Sequence, residues 1–201
     1  MSIEISQQPQ EKILSGIFTS RARVAILRLF MLDPTRTYYQ RQIEAATGFL
    51  IRGVQRELER LTDVGMLYRR VEGNRTYYQV DTQFPLFPEL LSMVLKTGTT
   101  EEQLRAGLAV DETVRLVFLC PAENRVLVVA APDKHPGISV PAPYTFEIVS
   151  TDAFLAALTD DTQSLHTFLA QGVDLLGRRD DPIWHRIETA GFAVQKGKGV
   201  P

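Results

Sequence analysis

Cysteine occurs once in the 201 residues, at Cys120, so no intramolecular disulfide framework is open to this chain. A lone thiol fits a reducing compartment. No run approaches the roughly 18 apolar residues of a membrane span. The opening MSIEISQQPQEK is polar, expected to be loosely held, and lacks the charged-then-apolar order of a secretory signal. The expectation is a cytoplasmic chain with no membrane association. Histidine is scarce too. His135, His166 and His185 are not at ligand spacings such as i and i+4, so surface or hydrogen-bonded histidines are expected and no metal or other cofactor. Ser139, Ser150 and Ser164 have no nucleophile motif around them, which leaves a hydrolase without support. Cys120 ends an apolar run and reads as buried packing rather than a redox sensor.

Strong net charge is also missing. The formal value is −2, which argues against a general nucleic-acid coat. That average hides an asymmetry. Through Thr97 there are 13 Lys plus Arg against 10 Asp plus Glu, and beyond it 9 against 14. Between Ser20 and Val80 the count is 11 bases to 6 acids, so an anionic partner suits the first half alone. With 44% hydrophobic residues, the chain has enough apolar material for two small cores or one large one.

Within the basic stretch, residues 51–64 read IRGVQRELERLTDV. Ile51, Val54, Leu58 and Leu61 recur at threes and fours and predict one buried stripe on a helix. Arg52, Arg56, Glu59 and Asp63 fall on the opposite arc, with Gly53, Gln55 and Arg60 along its edges. A solvated amphipathic helix has the same composition, so the flanking sequence decides. Before it, a helix is expected from Arg21 to about Met31, capped by Thr19 or Ser20 and stopped at Asp33-Pro34. A short extended piece at residues 37–39 then leads into a two-turn helix at 40–46, closed by Thr47-Gly48. Gly48-Phe49-Leu50 is a three-residue turn, and two short helices joined in this way make a helix-turn-helix. After it, MLYRRVE and RTYYQV flank Gly73-Asn74 and predict a tight hairpin with Arg69, Arg70 and Arg75 round its tip. A hairpin behind a helix-turn-helix is a wing, whose basic tip can reach phosphates or the minor groove.

The segments SRARVAILRLF, QRQIEAATGF, GVQRELERLTDVGMLYRRVEGNRTYYQVD and PLFPELLSMVLKT together resemble the winged helix-turn-helix of ArsR-type prokaryotic transcriptional regulators. The likeness is to the branch with a nucleotidyltransferase-like domain downstream. It departs at Leu50, where relatives often place a capping Ser or Thr. The resemblance implies double-stranded DNA as partner. Arg52, Gln55 and Arg56 are expected at major-groove bases, Gln40, Arg41 and Arg60 at phosphates, and Arg69, Asn74 and Arg75 in the wing's contacts with the backbone. A helix at about residues 88–96 carries Leu90, Leu91, Val94 and Leu95, more apolar surface than one small domain needs. It predicts a homodimer, with an interdomain strut as the alternative.

Thr97-Gly98-Thr99-Thr100 marks a boundary, giving expected domains at 13–97 and 98–195. In the second, EEQLRAGLAV reads as a helix, VRLVFLC, RVLVVAA and TFEIVS as strands, DAFLAAL and SLHTFLAQ as helices, VDLLG as a short strand and IWHRIETAGF as a last helix. The fold class expected is α+β, the second domain being small and α/β in texture. Its order resembles the nucleotidyltransferase-like domain of that branch. Active relatives have a Gly-Ser turn after the first strand and an Asp-x-Asp pair at the second, which hold phosphates and two metal ions. Here Cys120-Pro121-Ala122 replaces the turn, and Glu123-Asn124-Arg125 puts an arginine in the second carboxylate's place. The domain is therefore expected to be non-catalytic and to sense a small effector or bind a protein partner. A nucleotidyltransferase targeted by its winged helix is the alternative, and a partner of a toxin-antitoxin kind is a third. Asp160-Asp161 and Asp180-Asp181 read as solvated turn acids. The segment 132–143 reads as an irregular, proline-rich loop.

Overall fold

The computed structural model describes residues 11–132 and 143–200, a mixture of helices and strands. Residues 133–142 of the proline-rich loop, with His135 and Ser139, lie outside the described residues, as does the N-terminal stretch 1–10. Glu11 and Lys12, expected to be loosely held with that stretch, instead open a helix. The chain divides into two compact units, Met1–Ala106 and Gly107–Pro201. The division falls inside a helix, downstream of the 97/98 boundary read from the sequence. Among the described residues no helix is long and apolar enough to cross a membrane.

The first unit begins with α1 (Glu11–Ile17) and α2 (Arg21–Leu32). Ser20 caps α2, its hydroxyl oxygen accepting from the Arg23 N–H at 3.2 Å. Asp33 ends it with φ −149° and ψ 75°, because the ring of the following Pro34 crowds the helical region for its predecessor. β1 (Tyr38–Tyr39) leads directly into α3 (Gln40–Thr47). Gly48 then takes φ 71°, and its N–H closes the last turn on the Glu44 carbonyl. After the short turn comes α4 (Ile51–Asp63), then β2 (Leu67–Glu72), β3 (Arg75–Val80) and α5 (Phe87–Lys96).

β2 and β3 form a tight hairpin in which Glu72 faces Arg75, and β1 adds antiparallel to β3 for a sheet ordered β1-β3-β2. Gly73 has φ 56° at the first central turn position, which a side chain would resist. The unit's core joins Ile26, Phe30, Tyr38, Ile43, Val54, Leu58 and Tyr78, with the Phe30 and Tyr38 rings edge to face at 5.3 Å. This core fixes α4: its apolar side is held by α2, α3 and the base of β2, which leaves its other side to solvent.

α6 (Thr100–Ala109) carries the division between units. The second unit then runs β4 (Val114–Cys120), β5 (Arg125–Ala130), β6 (Thr145–Ser150), α7 (Thr151–Asp160), α8 (Thr162–Ala170), β7 (Val173–Asp174), α9 (Ile183–Thr189) and β8 (Gln195–Lys196). Its sheet is ordered β6-β5-β4-β7-β8, with β5–β6 and β7–β8 parallel and the inner pairs antiparallel. Leu116, Phe118, Cys120, Leu127 and Val129 pack against Phe154, Phe168, Leu169, Trp184 and Ile187 from the helices. Cys120 is fully buried. β8, two exposed residues, has no hydrophobic pattern and was not foreseen.

The reading of Asp180-Asp181 as solvated turn acids is corrected for Asp181. Arg115 donates to both its carboxylate oxygens, at 3.0 and 2.8 Å, and its Oδ1 accepts from the Ile183 N–H at 2.9 Å. A bidentate pair that also orders the start of α9 explains the acid better than solvation. Nearby, buried Asp174 accepts from the N–H groups of Leu176 and Gly177 and from Arg179, whose guanidinium lies 3.7 Å from the Trp184 ring centre.

Candidate nucleic-acid interface

α4 separates its polar and apolar residues onto opposite sides, with Glu57 the one charged residue on the packed side. Val54, Leu58 and Leu61 are buried and Ile51 half-buried, while Arg52, Gly53, Arg56, Glu59, Arg60 and Asp63 are exposed and Gln55 is half-exposed. Arg52 and Arg56, one turn apart, form no ion pair among the described residues, although Glu59 and Asp63 share their side of the helix. Two uncommitted guanidiniums at this spacing can each present a fork of donors outward. Arg60 differs. Its Nη1 is 3.2 Å from Glu57.

Glu57 is buried within the helix's packed side and was not singled out by spacing. Arg23 on α2 meets its Oε2 at 2.8 Å, and Arg60 meets its Oε1. Burial alone would raise the carboxyl's pKa. Hydrogen bonds from Arg23 and Ser20, with the charges of Arg23 and Arg60, outweigh that and hold it below the ordinary glutamate value. The pair adds a polar contact between α4 and α2 to the apolar packing that sets which arc faces solvent. In the sequence Glu57 is one of three acids on α4, set apart from Glu59 and Asp63 only by lying nearer the apolar stripe.

The start of α4 is organised in a way the sequence reading did not foresee. Leu50 offers no side-chain cap, as expected, and is 83% exposed. The missing cap is supplied from α3, where the Glu44 carboxylate accepts from the Ile51 N–H at 3.1 Å. The first turn is thus closed by protein groups, with the Gly53 N–H also bonded to the Leu50 carbonyl at 2.9 Å.

The remaining candidates spread over α3 and the hairpin. Arg41 is exposed on α3. Gln40 is half-buried and donates to the Tyr78 hydroxyl at 3.3 Å, so in this structure it is engaged with β3. Arg69, Asn74 and Arg75 are all exposed. The Arg75 guanidinium lies over the Tyr39 ring at 5.1 Å, and that ring meets Tyr77 edge on at 6.1 Å. Tyr39 therefore connects the hairpin's tip with the start of α3, a role that its place before a helix did not advertise. Arg70 is drawn to Glu72 at 3.1 Å.

In the second unit Arg125 is 3.1 Å from both Glu123 and Glu147 and lies over the Phe168 ring at 4.9 Å. Both acids face a guanidinium. His166 and His185 are exposed, and among the described residues no three His, Cys, Asp or Glu side chains gather as a metal site would require. Comparison with models of protein families, with curated proteins and with solved structures gives no match.

Proposed function

We propose that this chain is a sequence-specific, DNA-binding transcriptional regulator of prokaryotic type, acting as a homodimer. The observation that carries the reading is the pair Arg52 and Arg56, exposed, without an ion pair among the described residues and one turn apart on a helix whose opposite side is buried. α3, the short turn and α4 are a helix-turn-helix, and the β2–β3 hairpin is its wing. α4 enters the major groove, where Arg52 and Arg56 donate in bidentate fashion to guanine O6 and N7 and Gln55 addresses adenine. Gln40, Arg41 and Arg60 meet phosphates, as do Arg69, Asn74 and Arg75 from the wing. Val94 of α5 is buried in the unit's own core and Leu90, Leu91 and Leu95 pack on it while staying half-exposed. The dimer contact therefore falls to what remains exposed of α5 and sets two recognition helices on successive turns of the groove.

The second unit is a non-catalytic relative of nucleotidyltransferases that senses an effector or binds a partner. Arg125, placed between Glu123 and Glu147, supports this, because a fixed cation there opposes the binding of magnesium by either acid. Arg56→Ala is expected to weaken binding to a selected operator by about 1–3 kcal/mol while leaving random duplex nearly unaffected, measured by fluorescence anisotropy. Equal losses on the two duplexes would assign Arg56 to phosphate contact.

A further inference from the structure

Leu50 is the most exposed of the large apolar side chains in the described residues, at 83%, with the next at 63%. It occupies the position before α4 where Ser, Thr, Asp or Asn would satisfy a first-turn N–H. The structure shows why a leucine is tolerated there, since Glu44 reaches across from α3 and accepts from Ile51 at 3.1 Å. Tolerance does not explain presence. Leu50 is absent from the buried core and from the half-buried residues packed against it, whereas its neighbour Phe49 is among them. In sequence it lies two residues before Arg52 and six before Arg56, which form no ion pair among the described residues.

We infer that Leu50 is a specificity-determining residue that packs on the 5-methyl group of a thymine next to the base pair addressed by Arg52. This rests on the DNA-binding reading above. The thymine methyl is the apolar group on the base edges of the major groove, and apolar side chains recognise it by contact. An anionic duplex is brought to this point by Arg52 and Arg56, so the apolar partner of Leu50 lies in a groove rather than in a protein pocket. Moving the cap to Glu44 releases position 50 from a structural duty and gives it to recognition.

The test uses the full chain and a duplex enriched by it from a random pool, resynthesised with deoxyuridine for thymine, which removes only the methyl groups. Wild-type affinity is expected to fall roughly fourfold for each contacted methyl. Leu50→Ser, which keeps the fold because the side chain is exposed and serine is itself a good cap, is expected to bind the two duplexes equally. Wild-type indifference to the methyl groups overturns the inference, and so does an undiminished preference in Leu50→Ser. Failure to enrich any duplex removes the DNA-binding reading and this inference with it. Enrichment without a methyl effect removes this inference alone.

Discussion

Glu57 ties the helix that carries the candidate surface to α2 by an ion pair. It is an acid in the buried side of α4, 2.8 Å from Arg23 and 3.2 Å from Arg60. Removing its charge leaves Arg23, itself largely shielded, without its partner. Glu57→Gln is expected to cost about 1–3 kcal/mol of stability at neutral pH, measured by denaturant unfolding. The pH dependence has a definite sign. The folded-state pKa is depressed, so the stabilisation is complete above the ordinary glutamate pKa and is lost as pH falls through the lower folded value. In acid, therefore, wild type should lose its advantage and approach Glu57→Gln. A constant difference between the two down to strongly acidic pH would show that the ion pair contributes nothing beyond packing. Spacing could place position 57 at the edge of the apolar stripe, but not its partner on α2. That partnership depends on how two helices pack, which periodicity within one helix does not contain.

Among the elements, those with a strong local pattern were legible. α2 starts at Arg21 as expected, capped by Ser20, one of the two residues expected there, and runs one residue past its expected end, and the hairpin turns at Gly73-Asn74 as its composition requires. Less was legible where two elements share a task. α1 begins inside the polar N-terminal stretch, and the weak edge strand β8 carries no alternation at all. The start of α4 is the instructive case, because a sequence window centred on Leu50 contains no capping group and Glu44 lies a full helix earlier. Its carboxylate at the N-terminal end of α4 also interacts favourably with the positive end of the helix dipole. Glu44→Ala should therefore destabilise the protein by about 0.5–2 kcal/mol. It should also raise amide exchange at Ile51 and through the first turn, followed by NMR, while the exchange of Leu58 and Leu61 rises only with the global loss. Unchanged exchange at Ile51 would mean that water replaces the carboxylate at no cost.

For the whole molecule, the question is how a chain of net charge −2 could bind a polyanion. The answer lies in distribution. The candidate cations Arg41, Arg52, Arg56, Arg60, Arg69 and Arg75 all belong to the unit Met1–Ala106, while residues beyond Thr97 hold 14 acids to 9 bases. Local neutralisation lowers the effective number further, since Arg60 is already paired with Glu57. Counterion release depends on the phosphates actually contacted and not on net charge. If each protomer of a dimer contacts three to five phosphates, about 6–10 in all, affinity for duplex should fall on the order of 10³ to 10⁵-fold between 50 and 200 mM salt. Arg41→Ala, which removes an exposed cation from α3, should lower the slope of log affinity against log salt by about 0.9 per protomer and weaken operator and random duplex alike. A weak salt response in wild type would leave no room for this set of contacts. A normal response that Arg41→Ala does not change would take Arg41 off the phosphates and confine the contact to α4 and the hairpin.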